Sequence, residues 1–317
     1  MRDGYGREIN YLRLSVTELC NLRCRYCMPE EGIRKKPHEE ILTQEEMVMA
    51  VEAAARLGIT KVRVTGGEPL VKKNILSLCA HVSRVPGVQE VCITTNGTLL
   101  PPLAQALIRA GVRRVNLSLD TLDRDKYARV TRRDQFSQAM EGLECAVRAG
   151  FERVKINTVL MGGFNDDEIE ALAALTLKYP VDVRFIELMP MEGGGALGAW
   201  AMVPNRLVLE RLPRLEPVEG DGGVASLYRL PGALGNIGLI SPVSCQFCDQ
   251  CNRIRLTAGG TLKPCLHSPV EYSIKGLSRE EMAEQFQRAI LSKPPCHDPL
   301  SPLHPSGAGR AMNTIGG

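Results

Sequence analysis

Hydrophobic and polar positions along the first two thirds of the chain follow two alternating periods. Stretches with apolar residues every three to four positions give way to short runs in which apolar and polar residues take turns. The clearest helical stretch is Thr43 to Arg56. Thr43 stands as N-cap, Glu46 completes a capping box three residues on, and Gly58 supplies the stop. Three helix-to-strand junctions repeat one another, at Arg56–Val64, Arg109–Leu117 and Arg148–Ile156. Each places Gly where the residue after a helix takes left-handed backbone, and then a strand begins. Repeated βα units of this kind predict a parallel sheet with right-handed crossovers.

The strands carry a polarity that a doubly covered parallel sheet lacks. Lys61, Arg63 and Thr65 share one face while Val62 and Val64 share the other. Asn116, Ser118 and Asp120 oppose Val115, Leu117 and Leu119; Lys155 and Asn157 oppose Val154 and Ile156; Arg13 and Ser15 oppose Leu12, Leu14 and Val16. A sheet covered on both sides is apolar on both faces. Polar residues turned inward and apolar ones outward under helices predict a barrel, or part of one, with a polar lumen. One solvated face is the alternative. The rhythm stops near Glu219, which puts a boundary at residue 220 and divides the chain into 1–220 and 221–317. Ser278 to Leu291 reads as one more helix, and Ser292 to Gly309, rich in Pro, Gly and Ser, as a mobile or irregular tail.

Composition adds one clue. A net charge of +3 over 317 residues does not argue for a nucleic-acid polymer. Residues 1–10 show no signal peptide, and no apolar run suits a membrane span, so the expectation is a cytoplasmic protein. Eleven cysteines in such a chain point to metal or redox chemistry.

Cys20, Cys24 and Cys27 form CxxxCxxC directly after the strand at residues 11–16. Three thiolates can hold three irons of a [4Fe–4S] cluster and leave the fourth open to a small molecule. Structural zinc wants four ligands; His38, eleven residues on, reads as a solvated side chain. The second group, Cys248, Cys251 and Cys265 with His267 beyond, fits a Cys₃His zinc ribbon as well as a cluster, and Cys245 leaves its ligand set ambiguous. Cys79, Cys92, Cys145 and Cys296 read as small buried hydrophobes. No GxxxxGK[ST] loop is present.

The segment from Arg13 to Pro29 around the first cysteines resembles the radical S-adenosylmethionine superfamily. Further segments narrow the resemblance to its GTP 3′,8-cyclase (MoaA-type) family: residues 61–70 with Gly66-Gly-Glu-Pro69, 94–97, 116–120, 184–189, Cys248–Arg255 and the final Ile315-Gly-Gly317. The resemblance implies an α/β fold, a partial (βα)6-type barrel with a smaller C-terminal domain carrying an auxiliary cluster. It implies two [4Fe–4S] clusters, on Cys20, Cys24 and Cys27 and on Cys248, Cys251 and Cys265, with Cys245 a bystander. S-adenosylmethionine would meet the open iron of the first, with Tyr26, Gly67, Ser118 and Met189 as contacts. GTP would be held by Arg13, Arg63, Thr94, Lys155, Arg253 and Arg255, with Lys61 and Arg184 as weaker candidates. Gly316 and Gly317 would enter the site and assist radical initiation. The implied reaction takes the ribose 3′ hydrogen and joins C3′ to guanine C8, giving 3′,8-cyclo-7,8-dihydro-GTP in molybdenum cofactor biosynthesis. The implied partners are GTP, a small electron-donor protein and a downstream cyclic pyranopterin monophosphate synthase, and a homodimer is allowed. Two competing readings are a radical peptide-modifying enzyme with an auxiliary cluster and a zinc-ribbon binding module on a βα scaffold.

Overall fold

The computed structural model describes residues 1–191, 200–220 and 222–316. Six βα repeats build its centre. They run β1 (Tyr11–Ser15), α1 (Gln44–Arg56), β2 (Lys61–Thr65), α2 (Ile75–Val82), β3 (Glu90–Thr95), α3 (Ala104–Arg109) and β4 (Val112–Ser118). After these come α4 (Arg124–Thr131), α5 (Phe136–Ala149), β5 (Arg153–Leu160), α6 (Ile169–Lys178) and β6 (Val181–Glu187). Strands β1 to β6 pair in sequence order, all parallel.

The capping box at Thr43 forms in full: the Thr43 side chain accepts from the Glu46 N–H and the Glu46 carboxylate accepts from the Thr43 N–H. The junction glycines Gly58, Gly111 and Gly150 have φ between +88° and +92°, the left-handed stop that the repeated pattern required. Leu12, Leu14, Val62, Val64, Val115, Leu117, Val154 and Ile156 form one buried core with Met47, Ala50, Val51 and Ala54 of α1. The inward expectation holds for the opposite face. Arg13, Lys61, Arg63, Asn116, Ser118, Lys155 and Asn157 line a central cavity.

Beyond β6 the sheet continues where the sequence rhythm fails. After α7 (Arg206–Arg211), strands β7 (Glu216–Val218), β8 (Ser226–Arg229) and β9 (Ile237–Ile240) join the β6 edge, with β9 parallel to β6. Then β10 (Arg253–Leu256), β11 (Thr261–Lys263) and β12 (Tyr272–Ser273) join the other edge, with β10 parallel to β1. The final chain segment therefore widens both flanks of one open sheet, with twelve strands among the described residues. Strands from both flanks and the centre line the same cavity, so the sheet curves round it as an incomplete barrel.

Helix α8 (Arg279–Leu291), capped by Ser278 and Glu281, packs against α1. Residues 292–309 are irregular but not loose: Lys293, His297, Leu300, Ser306 and Ala308 are buried. Of the scattered cysteines, Cys79 and Cys92 are buried as expected and Cys145 partly so. Cys296 is exposed, against that expectation: Arg7 ties the carbonyls of Pro294 and Pro295 just before it to the interior, and the cysteine side chain itself is left outside.

Candidate active site

The cavity has a volume of about 550 Å³, a size suited to small-molecule ligands. At one end lies the loop after β1. Its Arg23 and Arg25 N–H groups donate to the Thr131 and Val130 carbonyls at the end of α4. Arg132, at φ +54°, reaches back to the Arg23 and Met28 carbonyls. The loop turns at Cys24, whose carbonyl accepts from the Cys27 and Met28 N–H groups, and Cys20, Cys24 and Cys27 all line the cavity. Burial pushes the Cys20 thiol up to about 11 and Cys27 to about 12. Cys24 is raised well above the ordinary value, by burial and then by repulsion from Cys27, Asp120 and Cys20. Three half-buried thiols that resist ionising together suit an iron–sulfur core, whose positive charge stabilises thiolates there.

Gly67 is not on the cavity wall; it lies behind this loop. Its N–H donates to the Thr17 carbonyl at 2.7 Å, and a Cβ there would come within 2.3 Å of the Leu19 carbonyl oxygen. Next to it the buried Glu68 carboxylate accepts from the Thr95 hydroxyl and the Asn96 N–H, both at 2.7 Å, and from the Leu70 N–H at 3.0 Å. Burial raises Glu68 to about 7 against the pull of these three donors. The glycine thus locks the cysteine loop against the end of β2 by close main-chain approach.

Cys248, Cys251 and Cys265 line the opposite end, while the exposed Cys245 does not. Burial would raise the Cys251 thiol, but Arg253 and then Lys293 outweigh it and bring it down to about 6. Among the described residues no three His, Cys, Asp or Glu side chains converge as ligands of one metal ion. Around a four-iron cluster each thiolate meets its own iron. His267 makes its hydrogen bond with the Ser306 hydroxyl at 2.9 Å, and its ring centroid lies 4.4 Å from that of His297. Burial and the neighbouring His297 and Arg255 hold it neutral, down to about 3.

Between the two ends the sheet register sets cations side by side. Arg13 pairs with Arg255 across β1 and β10 and with Arg63 across β1 and β2. Thr94, Lys155, Arg184 and Arg253 line the same cavity. Burial lowers Arg13 to about 10, and Arg255 falls further through burial and repulsion by Arg13 and Arg253. Arg63 is the exception: burial would lower it, but Tyr11, whose hydroxyl accepts from its Nε, pulls it the other way and it stays above the ordinary value. Lys61 is engaged by Glu90 at 2.6 Å and Lys155 lies 3.6 Å from Asp182. Clustered buried guanidiniums of this sort call for a polyanion. Nearby, Asn116 Oδ1 and Asn157 Oδ1 are buried without a hydrogen-bond partner, which leaves acceptors aimed at a polar guest.

The chain terminus enters this site. The Gly316 carbonyl accepts from Arg13 at 3.1 Å and from Arg255 at 2.8 Å, and Arg255 also reaches the Ile315 carbonyl at 3.2 Å. Ile315 is fully buried beside Met191 and Ala308, and the Asn313 N–H reaches the Cys27 thiol. A frayed end is excluded as far as Gly316; Gly317 lies outside the described residues. Two arginines expected on GTP here hold the tail.

All the other expected side chains reach the cavity: Tyr26, Ser118 and Met189 near the first cysteines, and Arg63, Thr94, Lys155 and Arg253 along the wall. Tyr26 donates to Asp120 at 2.7 Å. Sequence reading missed Tyr11, Asp120 as a partner of Tyr26, and Lys293. The inward alternation marks Asp120, and also Tyr11, two residues before Arg13 on the same strand; nothing local marks Lys293.

An incomplete parallel barrel with three cysteines after its first strand defines a radical S-adenosylmethionine protein. The family model of the Radical SAM superfamily matches residues 14–176, and that of Molybdenum Cofactor Synthesis C matches 181–299. Among solved structures, SuiB of Streptococcus suis bound to S-adenosylmethionine superposes with a TM-score of 0.62 at 15% identity, over 84% of this chain and 63% of SuiB. That likeness concerns the fold. The GTP 3′,8-cyclases of Alkaliphilus oremlandii and Pelotomaculum thermopropionicum are each 48% identical over the whole of both chains. One from Clostridium botulinum is 43% identical, again over both full lengths. The chain belongs to the GTP 3′,8-cyclase family of the radical SAM superfamily.

Proposed function

We infer that this chain is a GTP 3′,8-cyclase, an enzyme that converts GTP to 3′,8-cyclo-7,8-dihydro-GTP in the first step of molybdenum cofactor biosynthesis. The observation that carries this reading is one cavity with a cysteine triad at each end and a row of buried cations between them. Cys20, Cys24 and Cys27 would hold one [4Fe–4S] cluster, and Cys248, Cys251 and Cys265 the auxiliary one. When bound, the first cluster and S-adenosylmethionine supply the one-electron chemistry that removes the ribose 3′ hydrogen.

The protein's own part is binding and orientation. Tyr26, Ser118 and Met189 face the S-adenosylmethionine end, and Gly67 keeps the cysteine loop in place. Arg63, Lys155 and Arg253 hold the triphosphate with Thr94, each charge-assisted bond contributing about 1.5–3 kcal/mol. Arg13 and Arg255 serve both phosphate and tail, so Gly316 and Gly317 sense whether the nucleotide is seated. Holding ribose and base between the two cysteine sites fixes C3′ against C8, which replaces a chance encounter with a positioned one.

We propose residues 1–220 as the radical domain and 221–317 as the auxiliary domain, each contributing one triad. We also propose a cytoplasmic enzyme that draws electrons from a small donor protein and passes its product to a cyclic pyranopterin monophosphate synthase. Among the described residues no helix is long and apolar enough to cross a membrane. The test is an anaerobic assay with GTP, S-adenosylmethionine and dithionite. Formation of 5′-deoxyadenosine together with a cyclised nucleotide is expected; 5′-deoxyadenosine with unaltered GTP would overturn the substrate assignment.

A further inference from the structure

The irregular segment after α8 contains a buried cation that the reaction scheme above does not use. Lys293 is 3% exposed and lines the cavity. Its ammonium donates to the Arg253 carbonyl at 3.0 Å and to the Pro264 carbonyl at 2.9 Å. Both partners are uncharged main chain, and no carboxylate among the described residues forms an ion pair with it. A buried ammonium with only carbonyl acceptors is costly unless an opposite charge lies nearby. Its two carbonyl partners belong to the segments that carry Cys251 and Cys265, where bound iron and sulfide would bring negative charge close to it.

The two carbonyls have meaning by position. Arg253 stands two residues after Cys251, and Pro264 immediately precedes Cys265. The third cysteine is tied to the same frame through Arg7, which is also buried. Its guanidinium donates to the Cys248 carbonyl at 2.6 Å, the Pro294 carbonyl at 2.7 Å and the Pro295 carbonyl at 3.0 Å. Asp3 neutralises it at 2.6 Å. Arg7 thus fastens the Lys293–Pro295 stretch to Cys248, and Lys293 fastens that stretch to the Cys251 and Cys265 segments. The main chain beside all three cysteines hangs on two cations. Only one of these has a carboxylate of its own.

We propose that Lys293, seated by Arg7, is a positioning residue of the auxiliary site: it spaces Cys248, Cys251 and Cys265 and offsets the negative charge of their thiolates when iron and sulfide are bound. This rests on the assignment of those cysteines as cluster ligands. A neutral replacement leaves the thiolates' charge uncompensated, so the site holds iron less well. What it does hold gains an electron less readily.

The test uses the full chain with the first site removed by Cys20→Ala, Cys24→Ala and Cys27→Ala, reconstituted anaerobically with iron and sulfide. This parent is expected to take up about four irons. Adding Lys293→Met should lower the iron bound and move the midpoint potential of the remaining cluster to a more negative value. Lys293→Arg keeps the charge and should stay nearer the parent in both measurements. Unchanged iron and potential in Lys293→Met would overturn the proposal. So would equal iron losses in Lys293→Met and Lys293→Arg accompanied by equal drops in the melting temperature of the iron-free chains, which would mark a packing role. A parent that binds no iron would instead refute the ligand assignment.

Discussion

Replacing Gly316 by alanine tests whether the chain end is part of the working site. Gly316 sits at φ +72°, where a side chain costs about 1–2 kcal/mol in backbone strain. The added Cβ would also come within 2.9 Å of Thr65 Cγ2 and 3.2 Å of Ser15 Cβ. Neither neighbour can give way easily, because Thr65 is 2% exposed and Ser15 is fully buried in the sheet. The tail must lift, losing the bonds from Arg13 and Arg255 to its carbonyl. A penalty of 1–2 kcal/mol alone lowers the seated fraction by roughly five- to thirty-fold. The cyclisation rate should fall by at least that factor while both clusters and GTP binding persist. The assay follows cyclised nucleotide and 5′-deoxyadenosine under single-turnover conditions, with GTP affinity measured separately by calorimetry. Cyclisation at the wild-type rate would show that the seat seen for Gly316 has no part in turnover. A parallel collapse of GTP affinity would show that the tail is a nucleotide-binding element and nothing more.

The remaining predictions concern the two cysteine sites, the phosphate wall and a buried carboxyl. Cys24→Ala should abolish 5′-deoxyadenosine formation, whereas Cys265→Ala should keep reductive S-adenosylmethionine cleavage and lose cyclisation; product analysis by chromatography separates the two. Arg63→Ala removes the guanidinium bonded to Tyr11 and Thr94, and should weaken GTP binding roughly ten- to a hundred-fold with little effect on S-adenosylmethionine. Equal weakening of both ligands would mean that Arg63 supports the fold. Glu68, raised from 4.5 to about 7, binds its proton more tightly folded than unfolded. Its contribution to stability is complete below pH 4.5 and lost as pH rises through 7, on the order of 3 kcal/mol in all. Urea titrations of the iron-free chain between pH 4.5 and 8 should show that decline, and Glu68→Gln should flatten it.

The local signals in the sequence were strong wherever one element explains itself. The Thr43–Glu46 capping box and the glycines at 58, 111 and 150 depend on neighbouring residues alone, so they could be read directly. The inward faces of β1, β2, β4 and β5 were equally legible, since a strand turns successive side chains to opposite sides. The CxxxCxxC loop announced its chemistry by spacing. What tertiary structure decided is everything that joins distant segments. Strands β7 to β12 are short and irregularly spaced, and only pairing with β6 and β1 makes them strands, so the sequence rhythm seemed to end at residue 219. Register between β10, β1 and β2 turned Arg255, Arg13 and Arg63 from scattered charges into one row. Why residue 67 is glycine was likewise a tertiary matter, because the main chain of Thr17–Leu19 packs where a side chain would stand. Lys293 carried no motif at all. A lysine at a helix end reads as solvated until the fold buries its ammonium between two carbonyls contributed from 40 and 29 residues away. Spacing along the chain sets which groups are available; burial and long-range pairing set which of them face one another, and that second step depends on contacts no local pattern encodes.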